Sequence, residues 1–122
     1  MNPEQFVQEL SKYNFRLTDE QKKQFKLYFK DLLTANEHVN LTRITEEDDV
    51  YLKHFFDSLT PLFTFKKVFK ENATLCDVGS GAGFPSLPLK ILQPTLRVTI
   101  VDSLAKRLTF LKGLSAELNL HL

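Results

Sequence analysis

The chain has 122 residues, of which 43% are hydrophobic and 25% charged, so it is long enough for one core and typical of a globular protein. Its net charge of +1 lacks the basic excess of a dedicated nucleic-acid-binding module, and its single cysteine excludes an internal disulfide framework. No apolar run approaches the roughly 20 residues of a membrane-spanning helix and no signal-peptide pattern opens the chain, so we expect a cytoplasmic protein without membrane contact.

Residues 1–72 have the pattern of a helical region. Apolar side chains recur at helical spacing in residues 2–14 and again in residues 17–40. Thr18 is followed three positions later by Gln21, which is the spacing of a capping box, where each side chain bonds the backbone N–H of the other. We therefore predict two amphipathic helices at the start of the chain.

A third helix is predicted within residues 40–59, whose sequence is NLTRITEEDDVYLKHFFDSL. Thr45 is placed to cap this helix, and the acidic run at residues 46–49 suits the positive end of the helix dipole. Pro61 has no backbone N–H to donate within a helix. We expect the third helix to end near that proline.

The pattern changes in the rest of the chain, where two strand–helix units follow each other. Residues 73–78 and 96–102 are short apolar runs typical of buried strands. Residues 83–93 and 103–120 have helical character, and the first of these helices is entered through proline. The order of elements predicts an α/β fold, namely the first half of a doubly wound sheet preceded by helices.

We divide the chain into a helical region, residues 1–72, and an incomplete sheet domain, residues 73–122. Two parallel strands need partners on both faces and at both edges. We therefore interpret the chain as a fragment of a longer enzyme, in which the exposed sheet edge permits self-association. Cys76 lies within the first strand and is expected to be a buried, inert thiol, and no metal site is predicted.

A glycine-rich loop joins the first strand to the next helix in the sequence CDVGSGAGFPSLPLKI. Gly79, Gly81 and Gly83 would let the backbone approach a ligand closely, because no Cβ intervenes. No Lys-Ser/Thr pair follows, which disfavours a phosphate-binding P-loop. Counted from Gly79, the third small residue of a dinucleotide fingerprint would fall at Phe84, whose ring we expect to obstruct close helix–strand packing.

Two carboxylates flank this loop in the sequence. Asp77 lies two residues before Gly79, and Asp102 ends the second strand. In a strand–helix–strand unit Asp102 would lie at the carboxyl edge of the adjacent strand, where it could accept both hydroxyls of a ribose. A ribose clamp beside a loop without phosphate anchors suits S-adenosylmethionine. The alternatives are a purely structural turn, with Asp102 as a helix cap, and a nicotinamide oxidoreductase.

Several segments together resemble the glucose-inhibited division protein B family. They are residues 40–59, the glycine loop, and VTIVDSLAKRLTFL at residues 98–111. The resemblance implies a Rossmann-like methyltransferase fold and an enzyme that methylates guanine N7 of 16S ribosomal RNA with S-adenosylmethionine. Its partner would be the small ribosomal subunit. The resemblance also implies further strands that would carry the adenine contacts and the substrate face.

The same resemblance assigns roles to individual residues. It implies a cofactor pocket that is lined by Gly79, Gly81, Gly83, Phe84 and Asp102, with Asp77 beside them. A second set matches other positions that mark the family and either docks the helical region onto the sheet or contacts RNA: Asn40, His54, Asp57 and Ser58. Guanine N7 already offers a lone pair, so no general base is required and no catalytic residue is assigned here. The alternative to an enzyme is a non-catalytic half-domain that binds cofactor.

Overall fold

The computed structural model describes residues 1–79 and 81–120, in which helices pack on one face of a parallel sheet. Four helices precede the sheet: α1 (Pro3–Lys12), α2 (Asp19–Asn36), the short α3 (Glu47–Asp49) and, after a π-helix (Val50–Phe56), α4 (Asp57–Thr64). Strand β1 (Thr74–Val78), α5 (Ser86–Leu92), β2 (Arg97–Val101) and α6 (Ala105–Glu117) follow. This mixed α/β architecture, with helices first, confirms the predicted fold class.

Local hydrogen bonds define the starts of the first two helices. The capping box predicted at α2 is confirmed, since Thr18 Oγ1 accepts from the N–H of Gln21 at 3.1 Å and Gln21 Oε1 accepts from that of Thr18 at 2.9 Å. Asn2 and Gln5 form a second box at α1, with distances of 2.8 and 2.9 Å. These caps pair backbone donors that a helix start leaves free.

The third helical segment differs from its prediction at both ends. Its N-cap position is occupied by Glu46 without a side-chain hydrogen bond, so the cap predicted at Thr45 is wrong. Pro61 lies inside α4 rather than ending the helix. In a regular helix the carbonyl of Asp57 would accept from the backbone N–H of residue 61, but a proline has no N–H. The Asp57 carbonyl instead accepts from the hydroxyl of Thr60 at 2.8 Å. This bond replaces the missing one and allows α4 to continue.

The two strands pair in parallel, with Thr74 opposite Arg97 and Val78 opposite Val101. Side chains on one face are covered, but on the other face Val78 is 75% exposed and Val101 is 50% exposed. Our expectation of buried strands is therefore wrong, because the described helices cover a single face. Cys76 lies on the open face, so its thiol is exposed rather than buried.

The hydrophobic core draws on both parts of the chain. Phe25, Tyr28 and Leu32 of α2 belong to the same buried cluster as residues of α5 and α6, which include Leu87, Leu89, Ile91, Leu111 and Leu114. Helix α2 packs directly against α5 and α6. Across residues 1–79 and 81–120, no helix combines the length and the apolar character that a bilayer crossing requires.

Candidate cofactor site at the glycine loop

The glycine loop begins where β1 ends and lies beside the end of β2. The backbone N–H of Gly79 donates to the carbonyl of Val101 at 2.7 Å, one step beyond the last paired residues of the sheet. Asp102 follows Val101 directly, so its carboxylate and the loop share the carboxyl edge of the sheet. The structure thus confirms the prediction that Asp102 lies at the carboxyl edge of the strand next to the loop. Ser80, within the loop, lies outside the described residues.

The glycines of the loop differ in what surrounds them. Gly79 and Gly81 have positive φ angles of +70° and +62°, and a Cβ at either position would meet nothing within 4 Å. At Gly83, with φ of +94°, a Cβ would lie 2.6 Å from the hydroxyl of Tyr28 and 2.8 Å from Leu87 Cδ1. The first two glycines therefore leave open space beside the loop, and the third permits close packing.

This division of roles corrects the steric argument made from Phe84. The close contact falls at Gly83, so Phe84 does not obstruct it. The Phe84 ring instead lies parallel to the ring of His54, with centroids 4.3 Å apart, and parallel to that of Tyr28, 5.4 Å away. The half-buried ring thus contacts the helical region. That it lines a cofactor pocket remains a prediction.

His54 is oriented by its neighbours on the helical side. The Nε2 atom of His54 lies 2.8 Å from the hydroxyl of Thr42, whose own backbone N–H donates to Asn36 Oδ1 at 3.0 Å. Burial lowers the pKa of His54, and the charge of Asp57 opposes that shift. The neutral ring is therefore the form that packs against Phe84 at neutral pH.

The other family-marking residues make no hydrogen bond to the loop in the described structure. Ser58 is buried and its hydroxyl donates to the carbonyl of His54. Asp57 and Asn40 are exposed. Of the four residues in this predicted set, His54 is the one that the described structure shows in contact with the glycine loop. Its ring stacks on the ring of Phe84.

Asp77 faces the start of α5. Its Oδ2 atom accepts from the backbone N–H of Ser86 at 3.3 Å, and its charge adds to burial in raising the pKa of Tyr28. A carboxylate in this position complements the positive end of the helix dipole. The carboxylate therefore occupies the place at the helix start where a phosphate group would otherwise be favoured.

Asp102 presents a buried carboxylate next to the loop. Its side chain is only 1% exposed, and Oδ1 accepts from the N–H of Leu104 at 2.9 Å. That bond lowers the pKa of Asp102 against the effect of burial, with help from the nearby N–H of Gly81 and from Arg107. No hydrogen bond of ordinary geometry reaches Oδ2 within the described residues. The ionised carboxylate thus keeps one acceptor oxygen without a protein donor, beside the guanidinium of Arg107, whose Nη1 lies 3.7 Å from Oδ1.

The predicted cap role of Asp102 is close to what the structure has, but Asp102 lies two residues before the N-cap position. Helix α6 begins at Ala105 with Leu104 in the N-cap position, so the Asp102 carboxylate bonds the turn before the helix rather than the helix itself. The sequence pattern indicated no separate role for Tyr28, which lies in the stripe of apolar side chains that recur at helical spacing along α2. Nothing in that stripe distinguishes a tyrosine whose hydroxyl reaches a loop 54 residues away.

A cavity of about 580 Å³ lies elsewhere in the described structure. It is lined by apolar side chains of the first helices and rimmed by charges, including Phe6, Phe25, Tyr51, Lys22, Lys26 and Glu47. We place the candidate site at the glycine loop instead, because open glycine backbone and a buried carboxylate coincide there among residues 1–79 and 81–120. No group of three or more metal-binding side chains occurs among residues 1–79 and 81–120.

Comparison with known proteins assigns the chain to a family. The family model described as rRNA small subunit methyltransferase G (GidB) matches residues 21–122. Among curated relatives, proteins named Ribosomal RNA small subunit methyltransferase G are 77% identical over 120 residues in Lactobacillus acidophilus and 76% identical over 120 residues in Lactobacillus helveticus. The protein of that name in Lactobacillus delbrueckii subsp. bulgaricus is 66% identical over 121 residues.

These matches cover 98% of this chain for the first two relatives and 99% for the third. They cover 50%, 50% and 51% of the relatives, so the chain spans about half the length of the curated relatives it matches. The shared half includes the glycine loop, Asp102 and the helices that pack against them. From its sequence, the chain belongs to the rRNA small subunit methyltransferase G (GidB) family.

Proposed function

We propose that this chain is the cofactor-binding half of a cytoplasmic methyltransferase that uses S-adenosylmethionine to methylate guanine N7 of 16S rRNA in the small ribosomal subunit. Family membership and the names of the relatives support the reaction class and the RNA substrate. One observation carries the cofactor assignment. The open side of Gly79 and Gly81 lies at the same sheet edge as the buried carboxylate of Asp102.

The residues present fit S-adenosylmethionine better than a dinucleotide. A dinucleotide would place its pyrophosphate at the start of α5, where the carboxylate of Asp77 already accepts from Ser86. A second negative group at that position would be repelled. A ligand with a ribose but no phosphate requires only a hydroxyl acceptor, which Asp102 Oδ2 provides, and close approach of backbone.

The chemistry asks little of the chain beyond binding and orientation. When bound, S-adenosylmethionine supplies a methyl group on a positively charged sulfur, and guanine N7 has a lone pair that needs no prior deprotonation. Asp102 would hold the ribose, and the backbone at Gly79 and Gly81 would fix the orientation of the rest. Positioning of this kind can lower a barrier by up to roughly 7–11 kcal/mol. We propose that the residues contacting guanine lie in the half of the relatives that this chain does not span.

Isothermal titration of the chain with S-adenosylmethionine and, separately, with NAD tests the cofactor assignment. We expect S-adenosylmethionine to bind and Asp102→Ala to weaken it about tenfold or more, since a charge-assisted hydrogen bond is lost. Asp48→Ala is the matched control, because Asp48 is an exposed carboxylate on α3, away from the loop. Tighter binding of NAD than of S-adenosylmethionine would overturn the assignment.

A second assay separates an enzyme from a half-domain that only binds cofactor. Purified small ribosomal subunits that lack the modification are incubated with labelled S-adenosylmethionine and the chain. Incorporation of label at guanine N7 would show that the chain itself is active. Binding without incorporation would assign catalysis to the longer protein and leave this chain as its cofactor-binding half.

We also propose that the chain by itself associates with a second copy through the open side and edges of its sheet. Val78 and Val101 are exposed on that side, and both strands have unpaired edges within the described structure. Light scattering on the purified chain should give a mass above that of a monomer. Val78→Lys should shift the mass toward that of the monomer.

A further inference from the structure

A tyrosine of the helical region is hydrogen-bonded to the backbone of the glycine loop. The hydroxyl of Tyr28, on α2, donates to the carbonyl of Ala82 at 2.6 Å. The side chain of Tyr28 is fully buried, and Ala82 is buried as well. A buried carbonyl requires a hydrogen-bond donor, and among the described residues Tyr28 supplies it to Ala82.

The packing around the bond leaves the hydroxyl little freedom. It lies 2.6 Å from the position that a Cβ of Gly83 would occupy, so the absent side chain of Gly83 makes room for it. The ring of Tyr28 also lies parallel to that of Phe84. One side chain of α2 thus contacts three consecutive residues of the loop: Ala82, Gly83 and Phe84.

A second contact comes from another helical element. The ring of His54, in the π-helix, also stacks on the ring of Phe84, with an angle of 8° between the planes. The glycine loop is therefore held by two separate elements of residues 1–72. Its own residues, with positive φ at Gly79, Gly81 and Gly83, have backbone freedom that does not by itself select one conformation.

We propose that Tyr28 is a positioning residue for the cofactor: its hydroxyl, by holding the carbonyl of Ala82, keeps the loop in the conformation that S-adenosylmethionine binds. This inference rests on the proposed function. Without the hydroxyl the carbonyl of Ala82 would be buried and unpaired, and the loop would move to expose it to water. Other loop conformations would then be populated besides the one that binds the cofactor. The apparent affinity for S-adenosylmethionine would fall in proportion to the fraction of molecules in the binding conformation.

The experiment compares Tyr28→Phe with the matched control Tyr51→Phe in the complete chain. Tyr51 is also a buried tyrosine of the helical region, but it does not contact the loop. Titration with S-adenosylmethionine should show about tenfold weaker binding for Tyr28→Phe and no change for Tyr51→Phe, as expected for loss of one buried hydrogen bond at the loop. Urea unfolding of each variant establishes that both are folded under the binding conditions.

Hydrogen exchange of the loop amides gives a readout that does not depend on the cofactor. Amides at Gly81 to Phe84 should exchange about tenfold faster in Tyr28→Phe than in the parent chain, while those of α6 keep their rates. Unchanged affinity together with unchanged exchange would overturn the proposal. If the parent chain does not bind S-adenosylmethionine, the proposed function fails, and the exchange rates alone decide whether Tyr28 positions the loop.

A second pair of variants covers the case in which Tyr28→Phe does not fold. His54→Ala removes the stack on Phe84, and His54→Phe keeps an aromatic ring in its place. We expect faster loop exchange and weaker cofactor binding for alanine, with recovery of both for phenylalanine. Equal behaviour of the two variants would contradict control of the loop from the helical region.

Discussion

The carboxylate of Asp77 and the backbone N–H of Ser86 form a hydrogen bond across the glycine loop, at 3.3 Å. The bond joins the end of β1 to the first residue of α5, so the loop between them is closed at its base. Ser86 is fully buried, and its N–H has no water to replace the carboxylate. The side chain that we propose to disfavour a phosphate ligand therefore also holds the sheet to the helix that follows β1.

Replacement of Asp77 tests this structural role. Asp77→Ala should lower the free energy of unfolding by about 1–3 kcal/mol, because the buried N–H of Ser86 is left unpaired. Asp77→Asn keeps an acceptor oxygen and should cost less. Urea unfolding followed by circular dichroism measures both variants. Equal stability of the alanine variant and the parent chain would show that the bond does not contribute.

Gly83 and Gly113 offer a matched pair of glycine substitutions. Gly83→Ala should destabilise the chain by about 1–3 kcal/mol, since the new Cβ would overlap Tyr28 and Leu87. Gly113 lies within α6 with nothing close to its missing Cβ, so Gly113→Ala should stabilise by about 0.5–1 kcal/mol. The two variants are compared by thermal and urea unfolding. A loss of stability at both positions would contradict the contrast.

A pair of carboxyl groups joins α2 to α6 and predicts an unusual pH dependence. Burial, followed by the hydrogen bond and charge of Glu117, raises the pKa of Asp31 from 3.8 to about 6. Between about pH 4 and pH 6 the Asp31 carboxyl group therefore keeps a proton in the folded chain that it releases in the unfolded chain. The stability from this proton is complete below about pH 4 and is lost as the pH rises through about 6.

Asp31→Asn should remove that dependence. We expect it to raise the free energy of unfolding by about a few tenths of a kcal/mol at pH 8, because Asp31 is only half-buried and solvent screens the pair. At pH 3.5 the variant should match the parent chain. Urea unfolding at both pH values makes the comparison. The same gain at both would assign the effect to packing rather than to ionisation.

Cys76 reports on the open face of the sheet. Its exposed thiol should react completely with a disulfide reagent such as dithionitrobenzoate in the folded chain at low concentration. As the chain concentration rises, self-association through this face should slow the reaction. Cys76→Ser controls for other reactivity. A thiol protected to the same extent at every concentration would contradict an open face in the monomer.

Local patterns in the sequence predicted the parts of the fold that local forces determine. The box of Thr18 and Gln21 depends on residues three apart, and the order of strands placed Asp102 beside the loop. Asp102 could be located because parallel strands end at one edge, whatever packs around them. The part of the candidate site that could be predicted is the part that follows from the order of strands and helices along the chain.

The failures at Tyr28 and Cys76 depend on contacts distant in sequence, whereas the failure at Pro61 is local. The bond of Tyr28 to Ala82 joins residues 54 apart, and a tyrosine in an apolar stripe gives no sign of its partner. Pro61 was expected to end a helix, yet Thr60 supplies the replacement hydrogen bond. The exposure of Cys76 depends on which helices cover the sheet, and alternation along a strand does not determine that.

The bond from Tyr28 to Ala82 has a consequence for protein engineering. A segment beginning at residue 73 contains the strand, the glycines and Asp102, but it leaves behind the hydroxyl that satisfies the Ala82 carbonyl. Grafted onto another scaffold, this glycine loop would need a new donor at the same buried point. The conformation of the loop depends on α2, so designs that transplant the loop should include that helix as well.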